Sequence, residues 1–101
     1  MSERYYEKVG AYYDKDAVDF ERRYWQNDAL QRIRQSFRER VRQHEFTSIL
    51  EVGFGPGFDL THFAATHPRA EVFGVDISAE MVRIAQGKID DQKLSNAHVA
   101  Q

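Results

Sequence analysis

The chain has no cysteine, two prolines and no long apolar run among its 101 residues. Without cysteine there are no disulfides and no thiolate metal ligands. No apolar stretch approaches the roughly 18 residues that a membrane-crossing helix needs. The opening MSERYYEKVG mixes acids with bases and lacks the apolar core of a secretory signal. Internal repeats and low-complexity segments are also missing. The four histidines, at 44, 62, 67 and 98, are scattered, and His62 and His67 do not share a helical face, so no metal site is expected. Net charge is small, at −2. What remains is one small soluble domain, with the cytosol as its expected compartment.

Positive charge is uneven. Ten of the fourteen lysines and arginines fall in residues 1–48, and QRIRQSFRERVRQ alone carries Arg32, Arg34, Arg38, Arg40 and Arg42. A basic nucleic-acid adaptor would look somewhat like this. Yet Leu30, Ile33, Phe37 and Val41 recur there at helical spacing, and the acids Asp14, Asp16, Asp19, Glu21 and Asp28 lie just upstream. The expectation is a helix over about residues 27–44 with one buried stripe and a solvated arginine face.

Residues 1–46 therefore read as a helical segment, and 47–101 as an alternation. TSILEV is a short buried strand ending at glycine; FDLTHFAATH is a helix stopped by Pro68. AEVFGVD is a second strand. SAEMVRIAQGKIDDQ is a second helix, with Ser78 as N-cap and Glu80 in its first turn. NAHVAQ begins a third strand. Strand, helix, strand, helix, strand implies a parallel sheet, the first half of a doubly wound, Rossmann-like α/β fold.

Glycine is also sparse, with six in all, but three crowd into ILEVGFGPGFDL. A strand ending at Val52 feeds a tight turn that opens a helix. Glycine there permits positive φ and leaves no Cβ to obstruct a ligand. The free N–H groups at the helix start add donors and partial positive charge. Asp76 ends the second strand, so Glu51 and Asp76 reach the same sheet edge, where an acid can accept hydrogen bonds from ribose hydroxyls. The spacing Gly53-x-Gly55-x-Gly57 places Phe58 where a dinucleotide fingerprint has its last glycine, and no lysine follows as in a P-loop.

ILEVGFGPGFDLTHFA followed by VFGVDISAEMVRIAQ resembles the first two motifs of class I S-adenosylmethionine-dependent methyltransferases, most closely their small-molecule branch, over about residues 47–86. The resemblance implies S-adenosyl-L-methionine as cofactor and a small-molecule methyl acceptor. Glu51, Gly53, Gly55 and Gly57 would line its methionine and ribose part, and Asp76 would bind the ribose. Ile77 would pack on adenine, with Met81 at its edge. The aromatic opening, Tyr12 and Tyr13 above all, would form a lid. In that family the residues that align the acceptor follow the third strand, in a domain about twice this length, so the catalytic residues are not identified here. The chain then reads as the N-terminal part of such an enzyme, inactive alone. The alternative is a noncatalytic nucleoside-binding half-fold that self-associates through its open sheet edge.

Overall fold

The computed structural model describes residues 3–101. Helix α1 (Glu3–Gln26) and helix α2 (Asp28–Arg42) meet at Asn27, whose side chain accepts the Leu30 N–H at 3.0 Å and so starts the second helix. Strand β1 (Ser48–Val52), helix α3 (Phe58–Thr66), strand β2 (Glu71–Val75), helix α4 (Ala79–Gln92) and strand β3 (Ala97–Ala100) follow. The sheet is parallel, in the order β1-β2-β3.

Alternation along the strands sorts the sheet into two faces. Ile49, Val72, Gly74, Ala97 and Val99 turn towards α3 and α4, which supply Leu60, Phe63, Ala64, Ala85 and Ile89 to the core. Leu60 is fully buried, which stabilises the fold by about 1.5–3 kcal/mol. Gly74 makes this layer thin: a Cβ there would stand 2.6 Å from the Phe54 ring and closer still to Leu60. Asn96 ties the far end together, its buried amide donating to the carbonyls of Ala64, His67 and Ala70. The opposite face carries Leu50, Val52, Phe73 and Val75, all exposed, and β1 forms an open edge. Among the described residues no helix is long and apolar enough to cross a membrane.

One expectation holds only in part: Leu30 and Val41 are half-buried as the stripe requires, whereas Ile33 and Phe37 are exposed. Helix α2 buries no residue fully; Ile33 is 62% exposed and Phe37 42%. Its inward face instead holds Leu30, Arg34, Arg38 and Val41, so the arginine face is not wholly solvated. The cause lies in α3. Asp59 is buried, and its carboxylate takes ion pairs from Arg34 and from Arg38, the latter at 2.7 Å. A buried carboxylate demands such compensation, and it turns two arginines inward. Arg32, Arg40 and Arg42 stay in solvent.

Candidate functional site

The strand β1 ladder runs on past Val52: the Gly53 N–H donates to the Val75 carbonyl at 2.8 Å. The chain then turns through Gly53, Gly55 and Gly57, with φ of 74°, 59° and 88°. Positive φ at three alternating positions is costly for any other residue. The turn is held from below by Phe54, which is buried in the core. It is held from the side by Asp76, whose Oδ2 accepts the Gly55 N–H at 2.9 Å while Oδ1 accepts the Ser78 N–H at 2.9 Å. Residues that are individually flexible are thus locked by a ring and a carboxylate.

The three glycines divide their work. A Cβ on Gly53 or Gly55 would meet nothing within 4 Å, so both present bare backbone to open space. A Cβ on Gly57 would lie 2.9 Å from the Ala85 Cβ. Gly57 therefore serves the packing of the turn on α4, and it does not line the cleft.

That cleft has a volume of about 530 Å³ and lies over the C-terminal ends of β1 and β2. Its floor and walls include Gly53, Gly55, Asp76, Ile77 and Met81, and α1 adds Tyr13 and Phe20 to its lining. This is the size and place expected for a small-molecule site in a doubly wound fold. Tyr12 does not join Tyr13 there; it is 65% exposed and meets Tyr13 edge to face. Phe20 was discernible in the sequence, since Tyr13 and Phe20 are seven apart and share a helix face.

Glu51 lies on the other side of the glycine turn, in a narrower recess of about 220 Å³ shared with Phe20, Tyr24, Arg34, Gly53 and Gly55. Its Oε2 is buried without a hydrogen-bond partner. Burial pushes the carboxyl up from 4.5 to about 7; Arg34 and Arg38 pull it down and Asp76 adds repulsion. Two carboxylates thus flank one turn in unlike surroundings: Asp76 accepts from two backbone donors, and Glu51 is buried with an oxygen unpaired and its pKa raised to about 7.

Helix α1 is fastened across this edge. Tyr24 stacks on Phe58 with ring centroids 4.0 Å apart, and Lys88 on α4 pairs with Glu21 at 2.9 Å while lying over the Phe58 ring. Asp14 Oδ1 accepts the Ser78 hydroxyl at 2.6 Å and the Glu80 N–H at 3.0 Å. The Ser78 bond and then the Glu80 bond hold the Asp14 carboxyl below its usual range. Ser78 remains the N-cap of α4, accepting the Met81 N–H at 3.1 Å.

A parallel sheet with a glycine turn and an acid at the next strand end defines a nucleotide-type site on a Rossmann-like layer. A model of the methyltransferase domain family matches residues 49–101, from β1 to the last residue. The chain belongs to this family. It is 36% identical over 56 residues to trans-aconitate 2-methyltransferase from Afipia carboxidovorans, a stretch covering 55% of this chain and 22% of that one. The crystal structure of a SAM-dependent methyltransferase from Aquifex aeolicus superposes with a TM-score of 0.56 at 29% identity, over 63% of this chain and 37% of that one. PKMT2 from Rickettsia typhi in complex with AdoHcy gives 0.51 at 31% identity, over 54% and 10%. The chain spans about a fifth of the length of the curated relatives it matches.

Proposed function

We propose that this chain is the cofactor-binding portion of an S-adenosylmethionine-dependent methyltransferase acting on a small-molecule acceptor. The observation that carries the reading is the cleft at the glycine turn, with Asp76 at the neighbouring strand end. Gly53 and Gly55 leave room beside the turn that any side chain would occupy. The Asp76 carboxylate keeps acceptor capacity beyond its two backbone bonds, enough for ribose hydroxyls. Ile77 and Met81 offer apolar surface to adenine. The unpartnered Oε2 of Glu51 suits a cationic donor such as the ammonium of a methionine moiety. These features fit the cofactor.

Bound there, the sulfonium supplies an activated methyl group for in-line transfer to a nucleophile. The chain's part is to orient and to exclude water. Asp76 and the glycine turn fix the nucleoside; Tyr13 and Phe20 cover it, in keeping with residues 1–46 acting as a lid on 47–101. The cytoplasm is the compartment this reading expects.

A second part of the proposal concerns the sheet. With β1 at an open edge and Leu50, Val52, Phe73 and Val75 exposed, these 101 residues taken alone associate with another copy and do not turn over. The arginine helix gives a nucleic-acid adaptor little support, because Arg34 and Arg38 are committed to Asp59. Calorimetric titration with S-adenosylhomocysteine and with NAD tests the cofactor reading. Saturable binding of the homocysteine analogue, tighter than NAD, is expected; tighter NAD binding would refute it.

A further inference from the structure

Asp14 stands apart from its acidic neighbours Asp16 and Asp19 on α1, and it joins Glu21, which pairs with Lys88, in reaching α4. Asp16 and Asp19 pair with arginines of the same helix. Asp14 instead reaches across 64 residues to the first turn of α4, accepting from both the Ser78 hydroxyl and the Glu80 N–H. A carboxylate at that place also meets the positive end of the α4 dipole. One turn earlier, Gly10 lies so near the Ile77 carbonyl that a Cβ would be 3.0 Å from it. The two contacts clamp α1 onto the loop between Asp76 and α4. The residue immediately before Asp14 is Tyr13, and both Tyr13 and Phe20 wall the cleft that Ile77 and Met81 line from the other side.

We propose that Asp14 is the positioning residue of a latch: its bonds to Ser78 and Glu80 hold α1 in register over the cleft, and so set how fast a bound nucleoside leaves. This rests on the cofactor reading, because the ligand retained is the S-adenosyl nucleoside. Asp14 itself touches no ligand in this account; it acts through Tyr13. Breaking the latch should speed release more than it changes the intrinsic fit of the nucleoside to Asp76 and the glycine turn.

The test is stopped-flow release of S-adenosylhomocysteine from the full chain, followed by the fluorescence of Trp25 on α1. Asp14→Ala is expected to raise the dissociation rate about tenfold or more, roughly the effect of losing one charge-assisted hydrogen bond. Asp14→Asn keeps an acceptor oxygen for both donors and should restore most of the slow release. Tyr13→Ala should also release faster, and the Asp14→Ala/Tyr13→Ala double variant should be no faster than the faster single one, since both act at the same wall. Release at the wild-type rate from Asp14→Ala, or additive effects in the double variant, would overturn the latch. Should Asp14→Ala fail to fold, Gly10→Val lifts α1 from Ile77 without touching the α4 cap; wild-type release from it would likewise overturn the proposal. If the wild-type chain binds no S-adenosylhomocysteine, the cofactor reading has failed. Deuterium uptake along α1 then decides the latch on its own: Asp14→Ala must exchange faster than wild type, and equal exchange refutes it.

Discussion

The Asp76 carboxylate accepts the amide proton of Gly55 at 2.9 Å, joining the end of β2 to the middle of the glycine turn. One side chain therefore shapes the turn and faces the cleft at once. Asp76→Ala should weaken S-adenosylhomocysteine binding at least tenfold, because a charge-assisted bond of about 1.5–3 kcal/mol is lost and the turn loosens. Asp76→Asn should fall between, since an amide oxygen still accepts from Gly55. Calorimetry on folded variants checks both; unchanged affinity in Asp76→Ala would remove this residue from the site.

The glycines make a paired prediction. Gly55→Val puts a β-branched side chain at φ 59° and into the open cleft, and should abolish binding. Gly57→Val meets Ala85 and should act on stability first, with a lowered urea midpoint. If Gly55→Val binds normally, the glycines serve the turn alone.

Glu51 makes stability and binding depend on pH in opposite directions. Its carboxyl titrates at 4.5 in the unfolded chain and at about 7 when folded. Between those values the folded state holds the extra proton, so stability falls as pH rises through this window, by up to about 3 kcal/mol. Glu51→Gln should flatten that fall in urea unfolding. A cationic ammonium prefers the ionised form, so S-adenosylhomocysteine affinity should rise with pH up to about 7 and then level. Glu51→Gln should remove the rise; a wild-type affinity independent of pH would separate Glu51 from the ligand.

Asp59 is expected to matter for folding. Asp59→Ala leaves Arg34 and Arg38, both partly buried, without their partner. The cost should be about 1–3 kcal/mol, reduced from the figure for fully buried pairs by the solvent access of the arginines. Equilibrium urea unfolding measures it, and a change within about 0.5 kcal/mol would show the cluster to be energetically idle.

The strands, the two crossover helices and the Ser78 cap were legible because each is written locally, in periodicity, a proline, a glycine run or a capping residue. Glu51, Gly53, Gly55 and Asp76 stood out from the strand-end logic of a parallel sheet and Ile77 and Met81 only through the family resemblance, and the structure brings all six to one edge on either side of the turn. What the sequence hid was decided by partners far along the chain. Ile33 and Phe37 looked like a buried stripe, yet Asp59 draws Arg34 and Arg38 inward in their place. Gly57 looked equivalent to its neighbours until Ala85 was set against it. Tyr12 and Tyr13 were indistinguishable as adjacent tyrosines, and only the seating of α1 on Ile77 and Ser78 decided which one faces the cleft.

The central claim is that this cleft receives an S-adenosyl nucleoside. Titrating the ¹⁵N-labelled chain with S-adenosylhomocysteine while following backbone amides tests both the ligand and its place. The account predicts saturable shifts at Gly53, Gly55, Asp76, Ile77 and Met81, with Tyr13 and Phe20 on α1 responding and the exposed end of α2 around Arg40 and Arg42 silent. Saturable shifts centred on the arginine helix, or no shifts at the glycine turn at ligand excess, would contradict it.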